Sequence, residues 1–168
     1  MKLVKTGLVL AMAAISATIA SAAECHEVSG KVHELIIPGA ADPNGRVLGT
    51  VEGTLNGSYT AVITKFITPP APFVPLDLTT FEVFLTKEGD MLTGTGAGTF
   101  TPIPNQPPGF FTDKLVVTVT GGNGKYLGAT GTITFEGTGA NVFAGPGVGT
   151  FDLKFKGTVC TPNINDHH

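Results

Sequence analysis

The chain has 168 residues, and 10 lysine and arginine residues face 13 aspartate and glutamate residues, which gives a formal net charge of −3. A mildly acidic chain without a basic cluster has little to offer nucleic acid or anionic lipid, so neither is an expected partner. The length suits one domain with a substantial core.

The first 22 residues have the pattern of a signal peptide. Lys2 and Lys5 precede an apolar run over 8–19, and small residues at 20–22 stand at the cleavage spacing. The run is too short for a membrane-spanning helix, which needs about 20 strongly apolar residues. We therefore expect residues 1–22 to be cleaved and the protein to be secreted or periplasmic. The mature chain then carries 8 basic and 13 acidic side chains, a net charge of −5.

The mature chain predicts an all-β fold. Short alternating runs bounded by glycine and proline replace any sustained helical period, which is the pattern of strands. A single barrel domain over 23–160 and a flexible C-terminal tail over 161–168 are expected. Eight strands are predicted, at 25–37, 46–56, 58–68, 78–87, 90–101, 113–121, 129–138 and 147–160.

The connections between these strands are of two kinds that alternate along the chain. Tight turns are predicted at Asn56-Gly57, at 87–90 and at 121–128, whereas the other joins, at 38–45, 69–77, 102–112 and 139–146, are longer. Alternate connections of an up-and-down meander lie at the same end. The pattern therefore predicts an eight-stranded antiparallel up-and-down β-barrel, with long loops at one end and tight turns at the other.

Two cysteines, Cys25 and Cys160, stand near the two ends of the mature chain. Both lie on the polar face of their strands, and pairing of the first and last strands would bring them together. In an oxidising compartment such a pair predicts a disulfide outside the barrel, across its seam; two free thiols are the alternative. Closing so long a loop contributes at most about 5 kcal/mol on the chain-entropy argument.

The run Gly121-Gly-Asn-Gly-Lys-Tyr-Leu-Gly-Ala-Thr-Gly131, followed by a Thr-Ile-Thr-Phe strand, resembles a turn that recurs in the allene oxide cyclase/dirigent superfamily. The close match covers about residues 113–137. The resemblance implies an eight-stranded antiparallel barrel. By its signal peptide and small size, the chain is most similar to the exported bacterial members of the superfamily, whose role is unknown. It carries no catalytic residue of the plant enzymes onto this chain.

Polar residues on otherwise apolar strand faces are the candidates for chemistry. Glu34 is in line with Val28 and Val32, and Tyr59 and Lys65 share a face of the third strand. If these faces point inward, all three project into the lumen and are catalytic candidates, because a buried charge needs a partner and has a shifted pKa. In the opposite orientation of the third strand, Val62 and Phe66 lie inside and Lys65 lies in water.

The predicted long loops are unusually apolar for exposed segments. They suggest an entrance for a small apolar ligand or a protein-contact surface. Alternatively, prolines stiffen the loops and the phenylalanines fold back as a lid on the core. The candidate ligand-binding residues are Ile37, Phe73, Ile103, Phe110, Phe111 and Phe143.

Several kinds of site find no support in the sequence. Gly121–Lys125 lacks the spacing of a phosphate loop, and Ser29 and Ser58 have no acyl-transfer context. His26 and His33 fall on opposite faces of one strand, so no metal site is expected. No cofactor is predicted.

Three hypotheses for function follow. In the first, the exported barrel binds a small apolar ligand at its loop end and can carry cofactor-free cyclase- or isomerase-like activity; whether it is an enzyme stays open. In the second, it is a non-catalytic structural or interaction module that uses its apolar loops to contact a partner or a further copy in a homo-oligomer. The third, an outer-membrane barrel, is disfavoured because the chain has no tryptophan and only two tyrosines for interfacial girdles.

Overall fold

A computed structural model describes residues 23–39, 42–67, 73–143 and 148–162. These residues form a closed antiparallel barrel in which every strand pairs with its neighbours in the chain and the last strand pairs with the first. The predicted all-β, eight-stranded up-and-down barrel is thereby confirmed. The strands are β1 (Glu24–Gly39), β2 (Asp42–Gly53), β3 (Gly57–Phe66), β4 (Leu76–Thr86), β5 (Met91–Pro102), β6 (Phe111–Gly122), β7 (Thr130–Ala140) and β8 (Gly149–Thr161).

The seam between β1 and β8 is a continuous ladder that runs from Glu24↔Thr161 to Ile36↔Gly149. Cys25 lies directly opposite Cys160 in this register, and the two form a disulfide. The predicted disulfide is confirmed. It lies on the outer side of the wall, because the neighbouring Val159 is buried in the barrel whereas Cys25 is exposed.

Two connections differ from the expected lengths. β1 and β2 stay paired as far as Gly39↔Asp42, so only residues 40–41 separate them and the predicted loop 38–45 is mostly strand. At the other end, Gly57 belongs to β3, so the β2–β3 turn spans three residues, 54–56, and not the predicted Asn56-Gly57 pair. Leu55 in this turn is fully buried and fills the tight-turn end of the barrel.

The glycine-rich turn between β6 and β7 contains one turn of 3₁₀ helix, Gly124–Tyr126. It docks on the β4–β5 turn: Asn123 Oδ1 accepts a hydrogen bond from the backbone N–H of Met91 (2.6 Å), and Asp90 Oδ1 accepts one from the N–H of Lys125 (3.2 Å). Gly124 has φ +55, and a Cβ there would lie 2.0 Å from Asp90 Oδ1, so this position requires glycine. The turn therefore stabilises the tight-turn end of the barrel.

The barrel interior is apolar at both ends. At the tight-turn end, four aromatic rings pack together, with centroids of Tyr59 and Phe84 at 5.1 Å and of Phe135 and Phe155 at 5.8 Å. The loop end is closed by buried side chains that we call the closing layer: Ile36, Ile63, Leu76, Phe100, Phe111 and Phe151. No helix of the described residues is both long and apolar enough to cross a membrane.

Candidate functional site

Five polar side chains lie inside the barrel, between the closing layer and the aromatic cluster. They are Glu34 on β1, Tyr59 on β3, Thr80 and Glu82 on β4, and Asp113 on β6, and we call them the interior polar cluster. Their exposed fractions run from 0% for Glu82 to 6% for Thr80. Each occupies an inward position of the two-residue alternation of its strand, so the fold places it in the lumen by register.

Tyr59 and Glu82 are joined directly. The Tyr59 hydroxyl donates a short hydrogen bond to Glu82 Oε2. The register explains the contact: Ala61 faces Glu82 and Tyr59 faces Phe84, so Tyr59 and Glu82 are diagonal inward neighbours on adjacent strands. The Tyr59 ring is held against Phe84, which fixes the direction of its hydroxyl.

Four other polar atoms of the cluster have no hydrogen-bond partner: Glu34 Oε1, Thr80 Oγ1, Glu82 Oε1 and Asp113 Oδ1. A buried polar atom without a partner costs about 1–3 kcal/mol. Native proteins keep few such atoms, and those that they keep call for an explanation such as a catalytic or binding role. The cluster is therefore the part of the molecule where chemistry is most expected.

Glycines opposite the cluster accommodate its side chains. A Cβ at Gly96 on β5 would lie 2.2 Å from Thr80 Oγ1 and 3.0 Å from Glu82 Oε1. A Cβ at Gly49 on β2 would lie 3.3 Å from the Glu34 Cγ. Glycine at these strand positions leaves space for polar side chains on the neighbouring strand.

Burial changes the protonation of the three carboxyl groups. Desolvation raises the pKa of Asp113 to about 8 and that of Glu82 to about 7, and the neighbouring Glu82 charge adds to the effect on Asp113. The nearby hydroxyls of Thr80 and Tyr59 limit the rise for Glu82, although Thr80 Oγ1 makes no hydrogen bond of good geometry. Desolvation also raises the pKa of Glu34 well above its ordinary value, with further contributions from Glu82 and Asp113.

All of the basic side chains in the described residues are exposed, so no lysine, arginine or histidine within that part of the chain compensates these acids. The same environment, desolvation first and Glu82 second, raises the pKa of Tyr59 and keeps the phenol protonated. The cluster can therefore donate protons near neutral pH. It can also release them when a ligand supplies positive charge.

The structure separates the three predicted catalytic candidates. It brings Glu34 and Tyr59 into the interior, but it places Lys65 in solvent. A β-bulge explains the difference: Ile63 faces Thr80 and Lys65 faces Thr79, so two residues of β3 advance while β4 advances one. The inward series Tyr59, Ala61, Ile63 then continues at the half-buried Phe66, so each of the two predicted orientations of β3 describes part of the strand.

The predicted ligand-binding residues differ in their burial and fall into three groups. Ile37 and Phe73 are exposed, Phe73 by 64%, whereas Phe111 is the first residue of β6 and buried. Ile103, Phe110 and Phe143 are half-buried, and Phe143 packs on Phe66 with ring centroids 5.6 Å apart. The exposed apolar side chains around this end, which we call the loop-end rim, are Ile37, Ile67, Phe73, Val74 and Val148.

Sequence reasoning missed Thr80, Glu82 and Asp113. Asp113 had a usable signal, because Leu115, Val117 and Val119 follow it at alternate positions and face the core. Glu82 had none, because the outward face of β4 carries Phe81 and Leu85 and looks as apolar as the inward one. No group of three or more histidine, cysteine, aspartate or glutamate side chains within the described ranges could hold a metal ion.

Comparison of the chain with protein-family models, with curated proteins and with solved structures found no match.

Proposed function

We propose that this protein is an exported barrel that binds a small, largely apolar molecule through its loop end, with the polar part of the ligand reaching the interior polar cluster. The observation that carries the proposal is the set of buried, unpartnered oxygen atoms on Glu34, Thr80, Glu82 and Asp113. Apolar walls with a few convergent polar groups are typical of small-molecule sites. The resemblance of the 121–131 turn to the allene oxide cyclase/dirigent superfamily agrees with the barrel fold on which this proposal rests and carries no function with it.

Entry has to occur from the loop end. The tight-turn end is filled by Leu55 and Tyr126 and tied together by the disulfide and the docked β6–β7 turn. At the loop end, the rim is exposed but the closing layer beneath it is buried, so binding requires the closing layer to part. Side chains such as Phe143, which is half-buried against Phe66, are the ones that can move without breaking the strand ladders.

The interior polar cluster can also support cofactor-free isomerase- or cyclase-like chemistry. A protonated carboxyl, such as that of Asp113, gives a proton to the ligand, and an ionised carboxyl, such as that of Glu82, accepts one from another ligand atom. The Tyr59 hydroxyl stabilises the ionised form of Glu82 by its hydrogen bond. The two transfers leave the net number of protons unchanged, and confinement in the apolar lumen limits the conformations of the substrate.

The proposal is tested with native mass spectrometry and with titration of an apolar fluorescent probe into the exported protein. Phe73→Asp at the rim should weaken probe binding about tenfold, because loss of one aromatic contact removes about 1.5 kcal/mol or more. Leu127→Asp is the matched control, since Leu127 is an exposed apolar residue (56%) near the tight-turn end. Absence of any bound molecule and equal probe binding by both variants would refute the proposal.

A non-catalytic interaction module is the second candidate. The specific observation in its favour is that the rim exposes several large apolar side chains while the layer beneath it is closed. In that case Phe73→Asp would abolish an oligomer or partner contact. Sedimentation should then show a lower mass than that of the original protein for Phe73→Asp and an unchanged mass for Leu127→Asp.

A further inference from the structure

We propose that the ligand of the interior polar cluster is an organic cation, a small amine with an apolar or aromatic body. This inference rests on the proposed ligand-binding function and names the class of ligand. It is drawn from the composition of the lumen, in which the acidic side chains from three strands have no basic counterpart among the residues that the structure describes.

The first argument is the charge of the interior. Glu34, Glu82 and Asp113 are all buried, and the charge of Glu82 raises the pKa of both Glu34 and Asp113, while that of Asp113 also raises the pKa of Glu34. The basic side chains of the described residues all lie on the outer surface, so the positive charge that would offset these acids is not supplied by that part of the chain. A buried carboxylate without a positive partner is strongly disfavoured, and a bound cation provides that partner.

The second argument comes from the atoms that lack partners. Glu34 Oε1, Glu82 Oε1 and Asp113 Oδ1 are acceptors when their carboxyl groups are ionised, and the hydroxyl oxygen of Thr80 can accept as well. Thr80 is 6% exposed, and its Oγ1 and Glu82 Oε1 both border the same point above Gly96. An ammonium group has three N–H donors and no acceptor, which complements a set of unpartnered acceptors.

The third argument concerns the walls. Tyr59 stands beside Phe84 and Phe135, and its ring centroid is 5.1 Å and 6.1 Å from theirs. Aromatic faces attract cations as well as apolar groups, and this attraction strengthens when the cation leaves water. A metal ion coordinated by several side chains fits less well, because no group of three histidine, cysteine, aspartate or glutamate side chains in the described residues is placed to hold one. An ammonium group does not need all three acids at once, since one charged acceptor such as Glu82 Oε1 with a neighbouring hydroxyl such as Thr80 Oγ1 is sufficient.

Binding of a cation must compete with protons. Among the described residues, the titratable groups that face one another in the lumen are Glu34 from β1, Tyr59 from β3, Glu82 from β4 and Asp113 from β6. Because burial raises the pKa of Glu82 to about 7 and that of Asp113 to about 8, both are largely protonated at pH 5.5 and largely ionised at pH 9. The affinity for an amine should therefore rise between these two pH values, whereas the affinity for a neutral ligand should not.

The test compares three probes of nearly the same size and shape, 2-phenylethylamine, 2-phenylethanol and phenylacetate, by isothermal titration calorimetry with the disulfide-bonded protein. The amine should bind at least about tenfold more tightly than the alcohol at pH 9, which is the effect of one charge-assisted hydrogen bond, and this preference should shrink at pH 5.5. Phenylacetate should bind weakest.

The variants Glu82→Gln and Asp113→Asn should each lower amine affinity about tenfold and leave alcohol affinity within about twofold. Glu136→Gln is the control, because Glu136 is an acidic residue on the outer wall, 3.6 Å from Lys114. Circular dichroism of each variant checks that the barrel is intact. In either variant, weaker amine binding without weaker alcohol binding cannot come from a general loss of the fold.

The outcomes separate the two proposals. The cation inference is wrong, while the ligand-binding function stands, if the alcohol or phenylacetate binds as tightly as the amine at pH 9. The same conclusion follows if the amine binds both acid variants as tightly as the original protein and binds equally at the two pH values. If none of the three probes binds, the cation inference is wrong; the proposed function fails as well if native mass spectrometry finds no bound molecule and Phe73→Asp and Leu127→Asp bind the apolar fluorescent probe equally.

Discussion

At the scale of single residues, the molecule is unusual for the acids in its core. Glu34, Glu82 and Asp113 are buried among apolar side chains that would otherwise fill an eight-stranded barrel on their own. Glu34 could be predicted from the alternation of β1, because an acid in line with Val28 and Val32 has to point inward. Glu82 could not, because both faces of β4 carry large apolar residues.

These acids make the stability of the fold depend on pH. For Asp113, the pKa is about 8 in the folded barrel against an ordinary 3.8, so the folded chain keeps a proton that the unfolded chain has released. The contribution of Asp113 to stability is therefore fully present below about pH 4 and is lost as pH rises toward 8, by about 1.4 kcal/mol per pH unit in that interval. Glu82 adds a similar decrease up to about pH 7.

We predict that Asp113→Asn reduces this dependence and raises the free energy of unfolding at pH 8. Urea unfolding at pH 5 and at pH 8 measures it. The outward Glu136→Gln variant should show the same change in the free energy of unfolding between pH 5 and pH 8 as the original protein. If Asp113→Asn also shows an unchanged pH dependence, Asp113 is ionised in the folded state.

At the scale of elements, glycine and proline breaks determine the strands, but local irregularities decide what each strand presents to the lumen. The bulge between Ile63 and Lys65 removes Lys65 from the lumen and brings in Phe66. Strict alternation along β3 predicts the opposite, and nothing in the local sequence announces the bulge. Pairing with Thr79 and Thr80 on β4 sets it, so it belongs to the pair of strands and not to either one.

The fit of β5 against β4 gives a prediction at this scale. Gly96→Ala should destabilise the barrel by about 1–3 kcal/mol, because its Cβ would lie 2.2 Å from Thr80 Oγ1 and 3.1 Å from Leu115 Cδ1. Removing the obstructing hydroxyl with Thr80→Ala should recover part of the loss. Urea unfolding of the two single variants and the double variant measures this coupling. Additive effects in the double variant would mean that Thr80 does not occupy the space above Gly96.

At the scale of the whole molecule, closure depends on the pairing of the first and last strands. The β1–β8 ladder and the Cys25–Cys160 disulfide join segments 135 residues apart in the chain. A cross-link over so long a loop stabilises mainly by restricting the unfolded chain.

We predict that the double variant Cys25→Ser/Cys160→Ser keeps the barrel but loses about 3–5 kcal/mol of its free energy of unfolding. The ladder should persist without the disulfide, so the far-UV circular dichroism should not change. Urea unfolding measures the loss, and reduction of the original protein with dithiothreitol should reproduce it. An unchanged midpoint would mean that the seam ladder alone restricts the chain.

The sequence by itself determined the number of strands, their order and the disulfide, because alternation, glycine and proline breaks and cysteine position are local signals. It did not determine the length of the β1–β2 connection, which is two residues because the two strands stay paired as far as Gly39↔Asp42. Only the tertiary structure decided which polar side chains meet in the lumen. Tyr59 and Glu82 are 23 residues apart, and their contact follows from the register of β3 on β4, which the local sequence does not encode. Tertiary structure also decided that the rim lies over a closed layer, because packing between loops and strands leaves no periodic mark in the chain.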